Sequence, residues 1–299
     1  MLRIGNLNQN MSKKYFISYG DKNYSIQRKR ISFQARKLNF FDEVIIYNKR
    51  DLNKDFLHRF SKILSYSRGG GFWIWKSQII LQTLDMMDEN DILLYVDSGS
   101  SLNIKGKKRL IEYFEMFLES PENIFLFRIP DLLEKNWTAK EIFEHFNVID
   151  DPDITDTEQF MGGVLLVKKN NKSLQFFKDF QKTIEDDNDL ITNNYSSNQI
   201  DSFKESRHDQ SILSVMGKIY GCYFLDDESF YFYNPSEQFE SPILTVRDGY
   251  YNNWQKFKYY ILYPLNIRKV IFFQQKPFYF KNKNTLYSRL IKRISNFSD

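Results

Sequence analysis

Strands that alternate with helices predict an α/β protein with a mostly parallel central sheet and helices on both faces. Three observations support this. Apolar runs short enough for strands recur at residues 15–19, 43–47 and 91–96. Helical stretches at 25–38, 52–65 and 76–87 separate them. The third run then stops abruptly at Asp97-Ser98-Gly99. A carboxylate and a glycine there mark the mouth of a sheet, and open α/β sheets bind ligands outside the carboxyl ends of their strands.

The elements continue in order. Residues 107–118 read as a helix, 124–129 as a strand and 138–146 as a helix ending in an acidic turn at 150–156. Residues 161–167 form a strand opened by two glycines, and 173–185 an amphipathic helix. A polar stretch at 186–206 reads as loop, a helix starts at Asp209, and 220–225 is a late strand. No internal repeat is visible. The expected organisation is one domain over 12–250 and a basic, aromatic C-terminal extension over 251–299.

Composition narrows the function classes. The 299 residues suffice for a substantial core, and 42% hydrophobic with 27% charged content is ordinary for a globular chain. A single cysteine, Cys222, excludes an internal disulfide and a cysteine-cluster metal site, and only three histidines argue against polyhistidine zinc. Met1 to Gln9 lacks an apolar signal core, and the most apolar tail segment, 259–273, is interrupted by Pro264, Arg268 and Lys269. A cytoplasmic protein is expected. Residues 251–299 hold ten Lys/Arg against one acid, a net of +9, which leaves the rest at −5 within a total of +4.

Four constellations carry candidate chemistry. Asp97, with Ser98 and Gly99, could hold a hard cation on a diphosphate, or could simply cap a turn. The run from Arg68 to Lys76, Arg-Gly-Gly-Gly-Phe-Trp-Ile-Trp-Lys, lets backbone approach a ligand and offers Arg68 and Lys76 to phosphates; the alternative is a flexible loop before two core tryptophans. Gly162 and Gly163 open a buried strand and leave room for a sugar ring, or mark a bulge. Asp209 and Gln210 stand at a helix start, suited to sugar hydroxyls or to capping. His208 beside them is a base, a ligand or a structural histidine.

The order of these motifs resembles the GT-A (Rossmann-like) glycosyltransferases, including the retaining group with glycogenin and the lipopolysaccharide galactosyltransferases. It is most similar to bacterial and viral polysaccharide enzymes with Gly-Tyr/Phe-Trp-x-Trp-Lys before Tyr-x-Asp-x-Gly, here Gly71 to Lys76 and Tyr95 to Gly99. The resemblance spans residues 14–230. It implies that Ser18, Tyr19 and Gly20 hold the nucleotide base and that Asp97 is the metal ligand of an Asp-x-Asp motif. It also implies that Gly162 and Gly163 line the donor sugar, and that Asp209 and Gln210 stand at the reaction centre. The expected cofactor is manganese or magnesium, and the donor a nucleoside-diphosphate sugar, with UDP foremost. The second acid of Asp-x-Asp is Gly99 here, so another carboxylate such as Asp226 or Asp227 would have to join Asp97, or Arg68 and Lys76 would carry the diphosphate charge. Inversion would need a base, with Asp209 or a carboxylate of 150–158 as candidates.

The expectation is therefore a hexosyltransferase acting on a glycan or lipid-linked glycan in surface polysaccharide synthesis. A GT-A-like glycan-binding module without catalysis and a sugar-phosphate nucleotidyltransferase are the alternatives. The tail interleaves thirteen aromatics with its basic residues, which fits an anionic membrane surface on the inner face. No nucleic-acid motif accompanies it.

Overall fold

The computed structural model describes residues 12–229 and 241–245. The strands are β1 (Lys14–Tyr19), β2 (Glu43–Tyr47), β3 (Ile92–Val96), β4 (Ser101–Leu102), β5 (Ile124–Leu133), β6 (Glu158–Lys168), β7 (Tyr223–Asp226) and β8 (Ile243–Leu244). Six of them form one sheet in the order β2-β1-β3-β6-β5-β7, while β4 and β8 pair separately. β1 runs parallel to β2 and β3, and β5 parallel to β7. β6 is antiparallel to both its neighbours, β3 and β5. The sheet is thus parallel except for one reversed strand in its middle.

Alternation along the central strands sorts side chains into two cores, one on each face. Leu93 and Tyr95 of β3 join Ile17 of β1 against Ile79 and Ile80 of the Trp75–Leu84 helix and Phe176 and Phe177 of the Asn171–Asp186 helix. Leu94 and Val96 join Phe16 against Ile31 and Ala35 of the Ser25–Leu38 helix and Leu110 and Phe114 of the Lys107–Glu119 helix. All five β3 residues are buried, and each apolar side chain removed from water contributes about 1.5–3 kcal/mol. Helix ends are fixed locally. Asn170 and Ser173 exchange a reciprocal capping box, a device contributing about 1 kcal/mol.

Several elements depart from the sequence expectation. The helix over 52–65 divides into Lys54–Arg59 and Ser61–Leu64 at Phe60, whose backbone leaves the helical region. β5 runs on to Leu133 through two register shifts. The β4–β8 ladder, only two residues a side, is too short to show a period. The basic extension over 251–299 lies outside the described residues.

Candidate active site

β3 delivers Asp97 to the carboxyl edge of the sheet. Its N–H donates to the Gly163 carbonyl at 2.8 Å, which continues the β3–β6 ladder by one residue, and its own carbonyl accepts from Ser100 N–H at 2.9 Å. Ser18 Oγ, buried at the end of β1, donates to the Val96 carbonyl at 2.7 Å. The Tyr95 hydroxyl donates to Asp97 Oδ1. Burial, reinforced by the Asp97 charge, pushes the Tyr95 phenol well above its usual range, so it stays a donor. The other oxygen, Oδ2, faces β6. A Cβ on Gly163 would come within 3.0 Å of it, so absence of a side chain there is a matter of room for the carboxylate. Beneath the turn lies Arg30, which the sequence reading passed over. It is wholly buried and donates to the Ser98 and Ser100 carbonyls at 3.1 and 2.9 Å. Ser98 and Gly99 are therefore part of a turn held from below.

β6 and the Asp209–Tyr220 helix supply the opposite wall. Lys76 Nζ donates to the Gly162 carbonyl at 2.7 Å and to Asp209 Oδ2. Both side chains of this ion pair are 7% exposed. Burial holds the Asp209 carboxyl above the ordinary carboxylate range, Lys76 pulls it back, and Asp97 adds to the upward push. Gln210 accepts from Gly162 N–H at 3.0 Å. Lys76 thus sits inside the wall as the partner of Asp209, whereas the sequence reading had offered it to phosphates. Arg68 is exposed at the start of the same segment.

Tyr19 stacks on Trp75, with ring centroids 3.8 Å apart and planes 19° from parallel. Burial pushes the Tyr19 phenol up to about 12. Gly20 follows, its N–H on the Tyr47 carbonyl at 3.2 Å.

The triple glycine is neither loose nor flat. Gly69, Gly70, Gly71, Phe72 and Trp73 all have positive φ, between 50° and 99°, so the segment is one turn of left-handed helix. Glycine tolerates that hand; Phe72 and Trp73 do not, at about 1–2 kcal/mol each. The turn covers His208, whose ring lies 4.8 Å from Phe72 and 5.7 Å from Trp73. His208 is itself strained, at φ 59° and ψ −122°, and is 2% exposed. Its Nδ1 lies 2.9 Å from the Ile191 carbonyl, and Nε2 has no partner among the described residues. Burial, with Arg68 nearby, lowers its pKa to about 4. A neutral, enclosed imidazole of that basicity is a poor general base at neutral pH.

The donor set bears on a metal. Among the described residues no three His, Cys, Asp or Glu side chains group to hold one. Asp226 Oδ1 accepts from Arg128 Nε at 2.7 Å, and Asp227 Oδ1 accepts from Ser229 N–H at 2.7 Å. β7, which leads to them, lies three strand positions from β3, roughly 14 Å across the sheet. Asp97 offers one hard oxygen, a donor set that would suit only a cation that takes one carboxylate and completes its shell with substrate phosphates and water.

No family model matches the chain, and no curated protein matches it. Solved structures do show likeness. A glycosyltransferase involved in glycosylation of the major capsid of PBCV-1 is 11% identical, with a TM-score of 0.48 over 78% of this chain and 93% of that one. Mouse xyloside xylosyltransferase 1 is 13% identical, with a TM-score of 0.42 over 81% and 99%. The glycosyltransferase GlyE of Streptococcus pneumoniae TIGR4 is 15% identical, with a TM-score of 0.40 over 96% and 64%. All three are glycosyltransferases, the class the motif order resembles.

Proposed function

We propose that this chain is a glycosyltransferase that moves a sugar from a nucleoside-diphosphate sugar, foremost a UDP-sugar, to a hydroxyl of a glycan or lipid-linked glycan. The observation that carries the reading is a convergence at one sheet edge. Asp97 Oδ2, without a hydrogen-bond partner among the described residues, faces the two glycines of β6, and the Lys76-held Asp209 and the Gln210 amide close the far side.

In this reading the donor sugar lies along Gly162 and Gly163, and the diphosphate lies at Asp97 and the turn of Ser98 and Gly99. Ser18, Tyr19 and Gly20 stand at the adjacent strand end, where the nucleoside would rest. Manganese or magnesium, held by Asp97 and the diphosphate, would neutralise charge on the leaving group. Exposed Arg68 is free to add positive charge from outside. Asp209, tied to Lys76, acts through its field and its position, not as a free base. Gln210 offers an amide to the sugar. Rate would come from fixed geometry and prearranged electrostatics. Among the described residues no helix is long and apolar enough to cross a membrane. The basic tail over 251–299 would bring the enzyme to an anionic membrane surface where lipid-linked acceptors sit.

The test is nucleotide binding followed by turnover. Thermal shifts with UDP, GDP, CMP and dTDP, each with manganese and with EDTA, should single out one nucleotide. Release of that nucleotide from its sugar conjugates should then be lost in Asp97→Asn with little change in melting temperature. Binding of glycans without any nucleotide shift would instead favour a non-catalytic glycan-binding module.

A further inference from the structure

Behind Gln210 runs a file of buried polar side chains that the proposed chemistry leaves unused. Glu134, at the head of the Glu134–Trp137 helix, and Gln159 of β6 are both fully buried. Glu134 Oε2 accepts from Lys218 Nζ at 2.7 Å and from Ser214 Oγ. Its Oε1 accepts from Thr138 Oγ1 and from Gln159 Nε2, the latter at 2.9 Å. Gln159 Nε2 also lies 3.2 Å from the Trp137 carbonyl. The other end of that amide, Oε1, accepts from Gln210 Nε2 at 2.6 Å, and Gln210 Oε1 accepts from Gly162 N–H at 3.0 Å.

The two ends of this file impose one direction. A carboxylate only accepts, so Gln159 must turn its NH2 towards Glu134 and its oxygen towards Gln210. Gln210 must then turn its NH2 towards Gln159. At the other end a backbone N–H only donates, so Gly162 independently demands the Gln210 oxygen. Reversal of Gln210 would set donor against donor at Gly162, and reversal of Gln159 would set acceptor against acceptor at Glu134, in a buried place where an unmade hydrogen bond is costly.

We infer that Glu134 and Gln159 are positioning residues that, together with the Gly162 N–H, fix which way round the Gln210 amide sits, and hence which hydrogen-bonding group it presents to the sugar. The inference rests on the sugar-transfer reading for its consequence, but the orientation itself can be read without turnover.

The experiment uses the full chain and the variants Gln159→Leu and Gln159→Glu. With glutamine side chains labelled with nitrogen-15, the Gln210 NH2 protons should exchange slowly in the wild type and quickly in Gln159→Leu. In nucleotide release from the selected sugar conjugate, Gln159→Leu should lose about 10- to 100-fold in kcat with donor KM within about threefold. Gln159→Glu supplies the decisive readout. Protonated, it can donate to Glu134 and accept from Gln210; ionised, it faces another carboxylate. Its kcat should therefore gain a limb absent from the wild type, higher in acid and falling as pH rises, with melting curves at each pH showing a folded protein. Unchanged exchange of the Gln210 NH2 in Gln159→Leu, or a wild-type pH profile in Gln159→Glu, overturns the inference. A wild type that binds no nucleotide and releases none, yet keeps a protected Gln210 amide that Gln159→Leu exposes, overturns the sugar-transfer reading and leaves the orientation relay standing.

Discussion

Replacing Lys76 with Met keeps an unbranched side chain close to its length and deletes the charge. The ion pair with Asp209 is buried on both sides, at 7% exposure each. Removing one member of such a pair leaves the other charge uncompensated and costs about 3–5 kcal/mol. A chain of this size loses roughly 2–4 °C of melting temperature per kcal/mol, so Lys76→Met should melt about 6–20 °C lower near pH 8. The penalty has a pH signature. Asp209 already has a folded pKa above its unfolded value, because burial outweighs Lys76. Without Lys76 it rises further. A carboxyl that binds its proton more tightly when folded loses stability as pH climbs from the unfolded value, about 3.9, through the folded one. The variant extends that window upward, so its gap from the wild type should be small near pH 5 and widest near pH 8. Melting curves at unit pH intervals measure it. A gap that is flat with pH, or below about 2 °C at pH 8, would refute the argument that Lys76 exists to hold an ionised Asp209.

Three further outcomes follow from the same geometry. Gly163→Ala puts a methyl 3.0 Å from Asp97 Oδ2 and should slow transfer about tenfold or more while barely moving the melting temperature; a wild-type rate would mean that this oxygen does not face the reacting group. Arg30→Met strips the buried donor from the Ser98 and Ser100 carbonyls and should cost roughly 2–4 kcal/mol in urea unfolding, with no change expected only if that turn needs no support from below. His208, with its pKa lowered to about 4, should show no imidazole titration by NMR near neutrality, and its share of stability should fade as pH drops from about 6.5 towards 4; a midpoint near 6.5 would place the ring in solvent.

What the sequence shows and hides at this site follows from range. β3 is legible because an all-apolar run of five residues ends on Asp97, and both signals are local. The start of the helix at Asp209 is legible for the same reason. The reversal of β6 is not, since the residues of a buried strand read alike in either direction. Nor is the partner of Lys76, because its charge suggests phosphate until the fold brings Asp209 to it. Residues 69–73 mislead in a different way. Three glycines suggest freedom, yet Phe72 and Trp73 adopt a hand their side chains resist. Trp75 Nε1 donates to the Gly69 carbonyl at 2.8 Å, and the Leu64 backbone leaves no room for a Cβ on Gly71, so tertiary contacts overrule local preference. Glu134 and Gln159 passed unnoticed because a polar residue beside an apolar run looks solvent-facing; here both point into a closed network. Arg30 was hidden in a helix whose other basic residues line one face.

The Lys76–Asp209 pair also sets a schedule for synthesis. Its members are 133 residues apart in the chain. At roughly 5–20 residues per second on the ribosome, Lys76 waits on the order of ten seconds for its partner to be made, and longer for Asp209 to clear the exit tunnel. Within that interval β1, β2 and β3 are complete well before β6, and β6 before the helix that starts at Asp209. Until β6 is made the nascent chain carries an open sheet edge at β3, and until Asp209 follows an ammonium stands where the fold will later exclude water. The candidate site therefore cannot close until Asp209 has been made, so a chain stopped before it could hold its first three strands and still lack the wall that pairs with Lys76.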